Sequence, residues 1–263
     1  MAKIIAYLAA LIAGGISLLF IQGGTTPFFL ITGMMITAVI PLLDAFFTNT
    51  KNIRLIWYSL EYRNKIVRLS VSYLFRIKMD EAYLLIKGKR FNQYQPVGGV
   101  YKFSPGAKAF MDEIGARTDD LVPVDAISLN DLRIRIPGRN VARFVRWFES
   151  ERSRETSPWR EFYEELVKPG SLSFPDFPFI LADFIRRDIQ RIRFSEMASS
   201  WELLIADIFE LIPTAEQLTA LRELKAADHP DLVWVSEDQI RRRGAVPGRN
   251  QEILISPTAE WTL

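Results

Sequence analysis

Cysteine is absent from this sequence of 263 residues, and His229 is the only histidine. Without cysteine the chain has no disulfide, no thiolate nucleophile and no cysteine-ligated metal, which suits a reducing compartment. With one histidine, histidine-based metal sites and serine-histidine catalysis have little support.

Charge is absent between Lys3 and Asp44. This region consists of two apolar runs, Ile4 to Ile21 and Phe28 to Phe47, separated by a turn with two glycines and a proline. As a helix, each run covers about 27 to 30 Å, which matches a hydrocarbon core of about 30 Å. The sequence therefore predicts a hairpin of two transmembrane helices at residues 1–49.

A cleaved signal peptide and the buried hairpin of a soluble core are the alternatives, but a signal peptide has a shorter apolar region and no second run behind it. Cations flank the hairpin at Lys3 and, after the second run, at Lys51 and Arg54. The positive-inside rule therefore predicts that both termini are cytoplasmic. Asp44 either serves a pore or assembly role or reaches headgroup water.

A juxtamembrane helix is predicted at residues 50–64, because apolar residues recur there at helical spacing. Trp57 and Tyr58 either anchor this helix at the membrane interface or pack it against protein. Beyond it, alternation from Val67 to Ile77 predicts a strand that forms a hairpin with Tyr83 to Lys87.

Two further segments carry the candidate chemistry. Gly88 to Gly99 combines basic, aromatic and glycine residues and ends in Pro-Val-Gly-Gly. Pro158 to Val167 is a predicted helix that contains Arg-Glu-Phe-Tyr-Glu-Glu. Its acids Glu161, Glu164 and Glu165 stand at i, i+3 and i+4, so their carboxylates share one face.

This order of elements resembles a Nudix domain, although the helix is displaced along the chain. In one reading, Asp112, Glu113 and Gly115 are a decayed Nudix motif. In the other, which we favour, residues from about 100 to 155 are an insertion and the motif begins at Arg160. The predicted fold is a membrane α-helical hairpin plus an α/β, mixed-sheet, Nudix-like cytoplasmic domain at residues 65–263.

The resemblance to Nudix hydrolases implies that Glu161, Glu164 and Glu165 bind Mg²⁺ or Mn²⁺, which activates water against a diphosphate. The sequence departs from the family pattern in two places. Glu155 lies five residues before Arg160 rather than eight, and Val167 stands where a glycine is expected. We therefore favour a non-catalytic ligand-binding domain, and hydrolysis stays open as the alternative.

The whole chain resembles the two-transmembrane effectors, with a SMODS-associated NUDIX domain, of cyclic-oligonucleotide-based antiphage signalling systems (CBASS). This resemblance implies a bacterial inner-membrane protein that binds a cyclic oligonucleotide second messenger. Its hairpins would then assemble as a homo-oligomer and disrupt the bilayer, which causes abortive infection. No nucleic-acid polymer is expected as a partner. The alternative is a membrane-tethered Nudix hydrolase of a nucleotide or diphosphate substrate.

A cyclic oligonucleotide presents phosphates to cations and base faces to aromatic rings. An alternative for Phe91 and Tyr94 is that they fold onto the core. A second basic stretch, Arg133 to Arg146, alternates with apolar residues before turning helical near Asn140, and either lines the same site or faces lipid headgroups. The predicted ligand-binding residues are Lys87, Lys89, Arg90, Phe91, Asn92, Tyr94, Gln95, Gly98, Gly99 and Arg160.

Overall fold

The computed structural model describes residues 2–88, 92–119, 130–227, 229–245, 248 and 253–263. The chain divides into two compact units, Met1–Asn64 with Gly138–Phe144 and Lys65–Pro137 with Val145–Leu263. The sequence did not indicate that a short segment from the predicted insertion groups with the N-terminal unit. The predicted domain boundaries stay a prediction.

The N-terminal unit contains three helices, α1 Ala2–Leu18, α2 Thr26–Thr48 and α3 Thr50–Glu61. Pro27 lies in the first turn of α2, where its missing N–H and fixed φ suit helix initiation. Helices α1 and α2 contact each other at Gly14, where a Cβ atom would lie 2.8 Å from Cγ of Met35. The glycine therefore permits the close approach of the two helices.

Helix α2 is long and apolar enough, over Thr26–Phe46, to cross a membrane. The apolar part of α1, Ile4–Leu18, is shorter than such a span, so a second span is not shown. Helix α1 ends early because the N–H groups of Leu19 and Phe20 bond to carbonyls three residues back, which tightens the last turn.

Helix α3 packs on the Gly138–Phe144 segment within this unit. Leu55 and Tyr58 are buried on this face, and the hydroxyl of Ser59 accepts a hydrogen bond from the Ala142 N–H at 2.9 Å. A Cβ atom at Gly138 would lie 2.1 Å from the Tyr62 carbonyl oxygen, so only glycine fits there. Of the two aromatic residues considered from the sequence, Tyr58 packs against protein and Trp57 is exposed.

The larger unit is built on a mixed sheet. The strand order is β6-β7-β1-β10-β8, with β5 also paired to β1 and β9 to β10. Strand β1 is parallel to β10 and antiparallel to β5 and β7, which confirms the predicted mixed α/β sheet. The strands are β1 Ile66–Arg76, β5 Gly98–Val100, β6 Arg117–Thr118, β7 Arg133–Pro137, β8 Leu181–Ile189, β9 Arg193–Ser195 and β10 Ser200–Ile212.

A second sheet has the order β11-β3-β2, with β4 also paired to β3. Its strands are β2 Lys78–Met79, β3 Ala82–Lys87, β4 Tyr94–Gln95 and β11 Leu232–Ser236. The predicted hairpin between Val67–Ile77 and Tyr83–Lys87 is wrong, because β3 pairs with β2, β4 and β11 while β1 belongs to the first sheet. The chain changes sheets after Arg76 and turns at Asp80, which has a φ of 47°.

Helical segments cover parts of both sheets. The ring of Phe162 in α6 lies 5.5 Å from that of Phe75 in β1, which seats α6 on the mixed sheet. The α-helices of the remaining chain are α4 Lys108–Glu113, α5 Val141–Glu149, α6 Trp159–Phe162, α7 Ala215–Ala226 and α8 Glu237–Arg241, with a π-helical turn at Tyr163–Val167 and 3₁₀ turns at Pro105–Ala107, Gly138–Asn140 and Pro257–Thr262.

Candidate functional site

The candidate site forms where α6 meets the glycine loop that leads into β5. The Gly98 N–H donates a hydrogen bond to Oε2 of Glu165 at 2.8 Å. Gly98 has a φ of 146°, and a Cβ atom there would lie 2.2 Å from the Tyr73 carbonyl oxygen. At Gly99 a Cβ atom would lie 2.1 Å from Cδ of Glu161. Gly99 is therefore needed for the helix and the loop to approach this closely, and Gly98 for the loop to lie against β1.

Arg160 is the centre of the site and is surrounded by carboxylates. Its Nε and Nη2 donate to the two carboxylate oxygens of Glu155 at 3.0 and 3.1 Å. Its Nη1 donates to Oε1 of Glu161 at 2.6 Å and lies 3.6 Å from Oε2 of Glu164. Nη2 also donates to the Val100 carbonyl at 2.9 Å, which ties the helix to β5. One guanidinium thus faces three acids, and the immediate site carries an excess of negative charge.

Burial shifts the ionisation of the groups around Arg160. Burial raises the pKa of Glu161, while the nearby guanidinium of Arg160 opposes the rise and the carboxylate of Glu164 adds to it. Burial also raises the pKa of Asp131, against the opposing charge and hydrogen bond of Lys102. For Arg160, burial disfavours the charge, but its acidic partners raise the pKa overall. The side chain of Arg160 therefore stays protonated.

Three residues of this site were not predicted from the sequence. The Tyr73 hydroxyl accepts from the Glu161 N–H at 3.3 Å and lies 3.5 Å from Oε1 of Glu155. Nζ of Lys102 bonds Oδ1 of Asp131 at 3.0 Å. Tyr73 occupies a buried position in the alternation of β1, which indicates burial and not its partner. We find no pattern in the sequence that singles out Lys102 or Asp131.

The helix that carries the acids changes its winding in the middle of the motif. Residues Tyr163–Val167 form a π turn, in which the Lys168 N–H bonds to the Tyr163 carbonyl at 2.7 Å. The extra residue in the turn rotates later side chains relative to a regular α-helix. Glu161 and Glu165 nevertheless both reach the glycine loop, at Gly99 and Gly98 respectively.

The predicted metal ligands lie together, but their contacts are with protein groups. Glu161 pairs with Arg160, and Glu165 accepts the Gly98 N–H. Within the described ranges no group of three or more His, Cys, Asp or Glu side chains is arranged to hold a metal ion. Binding of Mg²⁺ or Mn²⁺ by Glu161, Glu164 and Glu165 therefore stays a prediction.

The predicted ligand-binding residues fall into two groups. Gly98, Gly99 and Arg160 are brought together as described above. Lys87 and Tyr94 face each other as register partners of the second sheet. The Tyr94 hydroxyl donates to the Pro230 carbonyl at 3.3 Å, and its ring packs on the core of that sheet. Lys87 and Asn92 are exposed and Gln95 is partly buried, while Lys89, Arg90 and Phe91 lie outside the described residues.

Part of the second basic stretch has a structural role. The buried carboxylate of Asp119 accepts from Nε of Arg68 at 2.7 Å and from Nε of Arg135 at 3.2 Å. Arg68 also pairs with Glu202. Arg135 is thus held by an ion-pair network that spans β1, β7 and β10.

The fold and site together define a Nudix-like domain, in which a mixed sheet supports a glycine loop and an acidic helix. The family described as the SMODS-associated NUDIX domain matches residues 66–263. The chain therefore belongs to this family, whose description indicates a role in SMODS-type defence. A search of curated proteins finds no match.

Proposed function

We propose that this chain is a membrane-bound effector of CBASS defence, whose Nudix-like domain binds a cyclic oligonucleotide second messenger. Ligand binding would promote assembly of the N-terminal hairpins, which disrupt the bacterial inner membrane and cause abortive infection. The observation that carries this proposal is the SMODS-associated NUDIX match over residues 66–263, on a chain whose α2 is able to cross a membrane.

The site geometry favours binding over hydrolysis. A catalytic metal would need carboxylates as ligands. Two of the carboxylates here, those of Glu155 and Glu161, already pair with the guanidinium of Arg160. Phosphate contacts are expected from exposed residues at the ends of β3 and β4, such as Lys87 and Asn92. The hydrolase alternative is supported by the position of Glu164, whose side chain is 32% exposed, against 16% for Glu155 and 16% for Glu161.

The test uses full-length protein in detergent micelles, titrated with a panel of cyclic di- and trinucleotides with and without Mg²⁺. Mass spectrometry follows both bound ligand and product. We expect saturable binding with the ligand recovered unchanged. Metal-dependent conversion that Glu164→Gln abolishes would instead establish the hydrolase. The absence of both binding and conversion across the panel would contradict both functions.

A pair of variants locates the ligand. Lys87→Ala and Asn92→Ala are expected to weaken binding of whichever cyclic nucleotide the panel identifies. Lys108→Ala is the matched control, because Lys108 is an exposed lysine paired with Asp112 on α4. Equal loss of affinity in the control would show a nonspecific charge effect and would contradict the predicted ligand site.

A further inference from the structure

Helix α3 has two apolar faces, and the protein covers one of them. On the covered face Leu55 is 1% exposed and Tyr58 is 8% exposed. On the other side Ile56, Trp57 and Leu60 are 37%, 62% and 59% exposed. With the half-buried Ile53 they stand at i, i+3, i+4 and i+7, so they form one continuous stripe, called here the outer stripe. An exposed stripe of this size and composition marks an interaction surface.

The position of α3 along the chain indicates what covers the outer stripe. Asn49 is both the C-terminal cap of α2 and the N-terminal cap of α3, so α3 begins where the membrane-crossing helix ends. A helix of 12 residues is about 18 Å long and is far too short to span a bilayer. It is suited to lie in the plane of the interface, where tryptophan is enriched.

The charges beside the outer stripe favour lipid over a second copy of the chain. Lys51 and Arg54 are exposed on α3, together with one exposed acid, Glu61, and Arg63 and Arg139 are exposed in the same unit. Anionic headgroups of the cytoplasmic leaflet complement such a basic border. Two copies that paired through this stripe would instead bring together more cations than acids.

We propose that the outer stripe of α3 is a binding surface for the bilayer interface. Helix α3 lies along the cytoplasmic leaflet, with Trp57 and Leu60 at the boundary between headgroups and acyl chains. The opposite face, with Leu55 and Tyr58, holds Gly138–Phe144 at the membrane surface. This inference rests on the membrane location given to α2 in the proposed function.

The lack of cysteine permits a direct test, because a single introduced cysteine carries the only spin label. Full-length protein is labelled at Trp57→Cys or Leu60→Cys in the outer stripe and reconstituted in nanodiscs that contain anionic lipid. Glu61→Cys is the exposed control on the same helix, and Ile36→Cys reports on α2. Collision rates are measured with oxygen, which enters lipid, and with a water-soluble nickel chelate.

We expect the labels at 57 and 60 to behave as the label at 36 does, with high oxygen accessibility and loss of access to nickel, while the label at 61 remains open to nickel. Nickel access at 57 and 60 would overturn the proposal, since the stripe would then face water. Shielding from both reagents would also overturn it, because the stripe would then contact protein. Nickel access at 36 would separately contradict the membrane location itself. Unchanged melting temperatures would show that the labelled variants are folded.

Discussion

The arginine at the centre of the candidate site determines how the surrounding acids behave. Because Arg160 is hydrogen-bonded to Glu155, Glu161 and the Val100 carbonyl, it joins α6 to β5 and to the segment before the helix. Its side chain is 22% exposed, and those of Glu155 and Glu161 are each 16% exposed. Removing one member of this cluster leaves partly buried charges without their main partner.

Replacing Arg160 with alanine is expected to lower the free energy of unfolding by about 3 kcal/mol, because Glu155 and Glu161 lose their counter-charge. Urea unfolding in detergent micelles, followed by circular dichroism, measures the loss. The control is Arg241→Ala, whose exposed ion pair with Glu237 should leave the unfolding midpoint unchanged. Equal midpoints for the Arg160 variant and the wild type would show that the cluster contributes nothing to stability.

The pH dependence of stability tests the ionisation of Glu161. Its pKa is raised in the folded protein, so its contribution to stability is fully present below the unfolded pKa and is lost as pH rises through the folded pKa. The melting temperature of the wild type minus that of Glu161→Gln should therefore be larger at acid pH than at neutral pH.

Glu216 provides a control of opposite sign. Hydrogen bonds from its own backbone N–H and from the Thr214 hydroxyl lower its pKa, so its contribution is present above the unfolded pKa and is lost as pH falls. The melting temperature of the wild type minus that of Glu216→Gln should therefore become smaller toward acid pH. Parallel trends in the two variants would contradict the assigned shifts.

At this scale the sequence identified the acidic helix but not all of its partners. The motif spacing of Arg160, Glu161, Glu164 and Glu165 was sufficient to predict a shared helical face. The roles of Tyr73 and Glu155 depend on how a strand more than 80 residues away is placed beneath the helix. Local spacing carries no information about that placement.

Among the secondary-structure elements, α7 has the clearest local signals for its own formation. Thr214 caps its N terminus, and Gln217 completes a capping box by accepting the Thr214 N–H through its side chain. Such caps satisfy backbone donors that have no partner within the helix. The same arrangement recurs at Ser236, which caps α8 directly after β11.

Thr214→Ala should lower the free energy of unfolding by about 1 kcal/mol, because it removes the capping oxygen. Thr219→Ala is the matched control in the same helix, since this threonine is exposed in the helix interior and alanine has the higher helix propensity. Urea unfolding of both variants measures the effect. A larger loss for Thr219 than for Thr214 would contradict the capping role.

The pattern of alternating residues predicted strands better than it predicted their pairing. Alternation from Leu132 to Ile136 with helix near Asn140 is confirmed by β7 and α5. Alternation at Val67–Ile77 is likewise confirmed as β1, but its expected pairing with β3 is wrong. Periodicity of two shows which residues are buried, whereas pairing depends on contacts between distant parts of the chain.

The whole molecule combines a helix that is long and apolar enough to cross a membrane with a Nudix-like domain of the SMODS-associated family. The absence of charge between Lys3 and Asp44 predicted a membrane segment, and α2 has the length and hydropathy that such a segment needs. The number of spans is less determined by sequence, since α1 ends at Leu18 while the apolar run continues to Ile21. The topology therefore needs its own test.

Two spans with cytoplasmic termini predict opposite labelling of two single-cysteine variants. In intact cells a membrane-impermeant maleimide should label Gly23→Cys, in the turn between α1 and α2, and should label Lys51→Cys only after permeabilisation. Both reactions are read by gel shift. Labelling of both positions from the same side would show that α2 does not cross the membrane as proposed.

The parallel pairing of β1 with β10 also affects how the protein is made. Arg68 in β1 and Glu202 in β10 are salt-bridge partners 134 residues apart. Strand β1 therefore lacks its parallel partner β10 until most of the chain has left the ribosome. Non-local pairing of this kind folds slowly, and synthesis proceeds from the N terminus. The N-terminal helices therefore emerge well before the Nudix-like domain is able to fold. If α2 inserts as proposed, each molecule is anchored before it is competent to bind a signal.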